Sequence, residues 1–97
     1  MNITGSGLGK LCNLKRLDCT YCKNVENDGL ISLLKCASNL ELLIINNCFK
    51  VTNSVVNVAV EVTNNRSNNM ILELHISETN VNINEIKQKS PFLYLCN

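Results

Sequence analysis

The chain writes one short pattern more than once, and that repetition limits what it can fold into. Residues 14–25, LKRLDCTYCKNV, can be laid over residues 40–51, LELLIINNCFKV. Leu14 then falls on Leu40, Leu17 on Leu43, Cys19 on Ile45, Cys22 on Cys48 and Val25 on Val51. Every one of these positions is apolar or carries sulfur. A looser copy, ILELHISETNV at 71–81, brings Leu74 and Ile76 onto the two central positions and Thr79 onto that of the second cysteine. PFLYLCN, 91–97, begins another, with Leu95 on the Leu17 position. The equivalent leucines stand 26, 31 and 21 residues apart, and the polar stretch TNNRSNN, 63–69, reads as a loop that lengthens the middle interval. Repetition at this period means stacked supersecondary units, because one unit cannot bury its apolar face alone.

Between the copies lie stretches of helical spacing. NDGLISLLKCA places Leu30, Leu33, Leu34 and Ala37 on one face, with Asn27 or Asp28 as the cap. TNSVVNVAVEVT carries two signals. Val55, Val56, Ala59 and Val60 suit a helix capped by Thr52, whereas Val56, Val58, Val60 and Val62 alternate as in a strand. Its place in the repeat decides for helix. NINEIKQK predicts a short helix with Asn82 and Glu85 at capping-box spacing, ending before Pro91. Each unit therefore reads strand, turn, helix.

The repeat also bears on the Cys-x-x-Cys pair. Such a pair can bind metal, shuttle electrons or do neither. Cys19 shares its position with Ile45 and Ile76, which face inward, and Cys22 shares its turn position with Cys48. Free cysteine behaves as a small buried hydrophobe, so the spacing is that of the repeat. Zinc sites use four ligands, commonly as two close pairs, and Cys12, Cys36 and Cys96 supply no second pair. The single histidine, His75, alternates with Leu74 and Ile76 and should point away from them. The expectation is six reduced thiols, no metal and no cofactor, with a Cys22–Cys48 disulfide open to oxidation only.

With 97 residues, 45% of them apolar, the chain supports one small domain. Nine basic against eight acidic residues give a net charge of +1, which offers no electrostatic footprint for nucleic acid or an anionic membrane. No apolar run approaches the ~20 residues that span a bilayer. The opening MNITGSGLGK has no basic segment followed by an apolar one, as a secretory signal would. The cytosol is the expected compartment, with the nucleus as the alternative. The Asn-x-Ser/Thr sites at Asn2 and Asn65 matter only on the secretory route. GSGLGK, 5–10, lacks the spacing of a phosphate-binding loop and reads as turn glycines.

The run LKRLDCTYCKNVENDGLISLLKCASNLELLIINNC resembles the cysteine-containing leucine-rich repeats of F-box proteins. Leu14, Leu17, Cys22, Val25, Gly29, Leu30, Leu33 and Cys36 match that unit; Leu40, Leu43, Cys48, Val51 and Thr52 match in the next, where Val55 and Val56 replace its Gly-Leu. The third keeps only the strand, so the likeness is strong in the first half and weak after Asn64. The resemblance implies an α/β leucine-rich repeat solenoid. A short parallel sheet would line the concave side and helices the convex side, as one domain over 1–97 with about three repeats and partial ends. In that family the repeats form the substrate-binding arc of a ubiquitin ligase, and a separate F-box docks the arc to the adaptor. No F-box is visible here, and ITGSGLGKL looks like the tail of an earlier unit, so a fragment, a short isoform and a freestanding adaptor all fit.

The expected function is protein–protein interaction, not catalysis. The alternatives are a truncated or degenerate repeat with no activity of its own, and a metal or redox protein built on Cys19, Cys22 and His75. Alternation along the strands puts three rows on the concave face: Arg16, Leu42, Glu73; Asp18, Ile44, His75; Thr20, Asn46, Ser77. Arg16, Asp18, Leu42, Ile44, Glu73 and His75 are the expected contact residues for a protein partner of unstated identity. Leu42 and Ile44 stand out, since exposed apolar groups rimmed by charge mark contact sites; the alternative is a strand buried on both faces. Leu8 and Leu11 at one end, and Phe92, Leu93 and Leu95 at the other, leave apolar repeat ends open to self-association.

Overall fold

The structure, a computed structural model, describes residues 11–97. Asn2, Leu8, the 5–10 glycine stretch and most of the expected tail of an earlier unit lie outside the described residues. The elements follow in the order β1 (Arg16–Asp18), α1 (Asn27–Cys36), β2 (Leu42–Ile44), α2 (Asn53–Asn64), β3 (Leu72–His75), a 3-10 turn (Ile83–Glu85) and β4 (Leu93–Cys96). The strands form one parallel sheet in the order β1-β2-β3-β4. The described residues thus form a small α/β domain with a four-stranded parallel sheet and two α-helices.

Register follows the leucines. Leu17 pairs with Leu43, Leu43 with Leu74, and Leu74 with Leu95. The ladder runs past the short strands, with Cys19 N donating to the Ile44 carbonyl (2.7 Å), Ile45 N to His75 (2.9 Å) and Ile76 N to Cys96 (2.9 Å). The same turn then recurs. Cys22 N donates back to the Cys19 carbonyl and Cys48 N to that of Ile45. Tyr21, Asn47 and Glu78, four residues beyond the equivalent leucines, all take positive φ of 60°, 62° and 57°. None is glycine, so each holds a left-handed conformation that side chains disfavour, and the surrounding repeat maintains it.

The core comes from inner strand positions and one face of each helix. Leu17, Cys19, Leu43, Ile45, Leu74 and Ile76 join Leu30, Leu33, Leu34, Val55, Val56 and Ala59 in one buried cluster. In α1 the buried Leu30, Leu33 and Leu34 have the i, i+3, i+4 spacing of an apolar stripe. The valine-rich segment is helical, with Val55, Val56, Ala59, Val60 and Thr63 buried. Burial against α1 and the sheet outweighs the few tenths of a kcal/mol per residue by which valine disfavours helix.

Local details depart from expectation. Glu26, not Asn27 or Asp28, occupies the N-cap position of α1. The Asn27 side chain instead reaches the next unit, accepting from Thr52 N (3.0 Å) and donating to Thr52 Oγ1 (2.7 Å). Thr52 does precede α2, but its hydroxyl makes no cap bond. Asn53 repeats the cross-unit reach by accepting from Asn82 N at 2.7 Å. The helix expected over NINEIKQK shrinks to the 3-10 turn, which buries no residue; without an apolar stripe to bury, a longer helix gains nothing from packing. The inserted loop begins after Asn64, since Thr63 is buried in α2 with its Oγ1 2.8 Å from Ser90 Oγ. Asn68 pins that loop by donating to the Ser38 carbonyl at 2.9 Å.

The thiols correct the sequence reading. Cys12 and Cys36 are joined as a disulfide, with a Cα–Cα distance of 5.0 Å, within the range that a bridge spans. Topology explains it. Because β1 and β2 are parallel neighbours, α1 must return the chain to the level at which β1 began, which brings the end of α1 beside the segment ahead of β1. Cys19, Cys22 and Cys48 remain buried thiols.

Candidate outer-face site

Strand geometry fixes which side chains meet. Alternate residues of a strand share a face, and parallel neighbours lie about 4.8 Å apart. With Leu17, Leu43 and Leu74 turned into the core, the residues beside them face away from the helices. Register then aligns Arg16, Leu42, Glu73 and Tyr94 in one row and Asp18, Ile44, His75 and Cys96 in the next. The first three members of each row are those expected from the sequence. Thr20, Asn46 and Ser77 extend the series, with Ser77 N donating to Asn46 Oδ1 at 2.8 Å.

The row members differ in exposure and in partners. Leu42 and Ile44 are half-buried, not fully covered, so β2 is not a strand buried on both faces. Arg16 and Asp18 are exposed. Arg16 Nε donates to Glu41 Oε1 at 3.1 Å, and Arg16, Glu41, Leu42 and Glu73 line a depression of about 350 Å³. Asp18 accepts from Thr20 Oγ1 (2.6 Å) and Thr20 N (2.9 Å); those hydrogen bonds stabilise the carboxylate and hold its pKa below the usual 3.8.

His75 and Glu73 form a close pair, Nε2 to Oε2 2.7 Å. They stand on one strand two residues apart, which places them on one face. Cys96 joins them from β4, opposite His75 in the register. One ligand atom from each of Glu73, His75 and Cys96 lies within 4.8 Å of the others. Burial first, then the Glu73 carboxylate, pushes the Cys96 thiol above its ordinary range.

The Cys-x-x-Cys pair lies elsewhere. Cys19 and Cys22 are buried in the core on the helix side, while His75 is on the opposite face. The trio Cys19, Cys22 and His75 is therefore not brought together. Cys48 Sγ donates to the Cys19 carbonyl at 3.0 Å, tying one unit to the next. Burial, followed by the neighbouring Cys22, Cys48 and Asp18, pushes the Cys19 thiol up to about 12; burial also raises Cys48. The thiolate is the reactive and metal-binding form, so these two sulfurs act as core atoms.

Tyr94 and Cys96 are the site residues that sequence reasoning missed. The signal was present: placing Leu95 on the Leu17 position carries Tyr94 onto the Glu73 row and Cys96 onto the His75 row. The expected rows stop at β3. No protein-family model matches this chain, and no curated protein matches it.

Proposed function

We propose that the chain is a leucine-rich repeat protein-interaction module, a short solenoid whose helix-free sheet face receives a protein partner. The observation that carries this reading is the position of Leu42 and Ile44. They are half-buried apolar side chains at the centre of a face bordered by Arg16, Asp18, Glu73 and His75. Partially exposed apolar groups ringed by charge are the anatomy of a contact patch, with an apolar centre that loses water and a polar rim. The repeated left-handed turns and the leucine register support the solenoid reading. The role is non-catalytic and needs no cofactor. Within the F-box resemblance, such a face would select the substrate of a ubiquitin ligase. Buried thiols such as Cys19 and Cys48 suit the cytosol or nucleus, whereas the Cys12–Cys36 bridge favours an oxidising environment.

The test is capture from a cell extract. Leu42→Asp combined with Ile44→Asp should abolish partner capture while circular dichroism stays that of the parent. Unchanged capture by the folded double variant moves the site off this face. Failure of the parent chain to retain any protein favours the reading of a repeat with no activity of its own.

A further inference from the structure

On the outer face two residues of the contact rim meet a thiol that the contact patch does not include. Glu73 and His75 satisfy each other, yet the thiol of Cys96 is placed against both, at the point where β4 meets β3. Three different donors, a carboxylate oxygen, an imidazole nitrogen and a sulfur, converge from two rigidly paired strands. We propose that Glu73, His75 and Cys96 bind a single divalent cation of the zinc class. The site shares Glu73 and His75 with the rim of the contact patch, but it is tested by metal uptake and not by partner capture, so either reading can fail alone.

The donor set selects the cation. Calcium and magnesium take oxygen ligands, whereas mixed sulfur, nitrogen and oxygen donors suit zinc and its neighbours among the transition metals. Zinc accepts all three donors at about 2.0–2.3 Å in tetrahedral geometry, which sets the ligand atoms on the order of 3.5 Å apart. The Glu73–His75 separation of 2.7 Å must open slightly, and the Cys96 sulfur starts within 4.8 Å of both and settles at the ligand spacing. Both are side-chain adjustments on residues that are not fully buried. His75 is bordered by Ile44 on β2 and Glu73 by Tyr94 on β4, so one apolar and one aromatic group flank the site. Three protein ligands leave a fourth position toward solvent, open to water or to a donor group of another molecule. On binding, the cation takes the place of the Cys96 thiol proton and of the hydrogen shared by His75 Nε2 and Glu73 Oε2; both protons pass to water, save that a neutral imidazole takes one back on Nδ1.

The experiment uses the 97-residue chain, stripped with chelator and kept under argon without added thiol so that the Cys12–Cys36 bridge stays closed. Cobalt(II) is the probe. One equivalent should bind, with the visible bands of a four-coordinate ion and a near-ultraviolet sulfur-to-cobalt band, and zinc should displace it. Cys96→Ser should remove the sulfur band. His75→Ala and Glu73→Gln should each weaken uptake by at least the ~10–100-fold that loss of an outer-shell partner costs. Glu61→Gln, exposed on α2 and away from the outer face, should leave the titration unchanged. Absence of saturable uptake overturns the proposal. So does a sulfur band that survives Cys96→Ser in a folded protein, which would place the ion on the core thiols. Should Cys96→Ser fail to fold, an unaltered titration of folded His75→Ala overturns it equally.

Discussion

The two halves of the molecule use the same strand pattern and bury it to different depths. In the first half, β1, α1, β2 and α2 wrap a core in which Cys19, Leu30, Leu43, Ile45, Cys48 and Val55 are wholly removed from solvent. In the second, Leu72 and Leu74 are as buried, but the strand that follows is not: Leu93 and Leu95 are half-buried, and a 3-10 turn with no buried residue stands in place of a helix. Leu43 and Leu95 occupy equivalent register positions. What separates them is the cover that packs over the sheet. Edge position alone does not decide it, since Leu17 on the outer strand β1 is buried and Cys19 just beyond it is wholly so; α1 and α2 cover the first half, and the 3-10 turn supplies no such cover in the second.

That contrast can be broken most directly by truncating equivalent leucines. Leu43→Ala removes a fully buried side chain between β1 and β3 and should cost about 2–5 kcal/mol in urea unfolding. Leu95→Ala, on the outer strand, should cost only about 1 kcal/mol. Equal losses would mean that the second half is as tightly covered as the first.

A smaller effect tests whether the first half is also held covalently. Replacing Cys12 and Cys36 together with serine opens a loop with a sequence separation of 24 and should lower stability by about 2–4 kcal/mol. The measurement is the denaturant midpoint with and without reductant. The parent should fall to the level of the double variant on reduction, and the variant itself should not respond.

The smallest effect exploits the buried thiol. Cys19 has an ordinary pKa of 9.0 and a folded one of about 12. Its folded form keeps a proton that the unfolded chain releases, so its contribution is fully present below pH 9 and is lost as pH rises toward 12. The slope from this group is at most about 1.4 kcal/mol per pH unit. Stability of the parent measured from pH 8 to pH 10.5 should fall more steeply than that of Cys19→Ala, whose third-repeat counterpart, Ile76, shows that no ionisable group is needed there. Parallel slopes would mean that Cys19 does not titrate differently on folding.

Much of this organisation was written in the chain. The repeat of Leu17, Leu43, Leu74 and Leu95 determined the sheet register, and alternation along each strand determined which residues turn inward and which outward. Helical spacing in 27–37, and repeat position in the valine-rich stretch, determined the two helices. The Arg16, Leu42, Glu73 and Asp18, Ile44, His75 rows followed from the same periodicity, because pattern along a strand is a local property of its sequence.

Only the tertiary structure decided which residues meet across units. Asn27 looked like a cap and instead binds Thr52 of the next unit. Cys36 looked like a repeat thiol and is bridged to Cys12. Cys96 had no evident partner and arrives beside His75 and Glu73. Each of these contacts joins residues 21 to 25 positions apart, and each depends on the return path of a helix or the lateral pairing of strands. Local pattern shows that a side chain faces a neighbour; the pairing of the strands and the return path of the helices decide who that neighbour is.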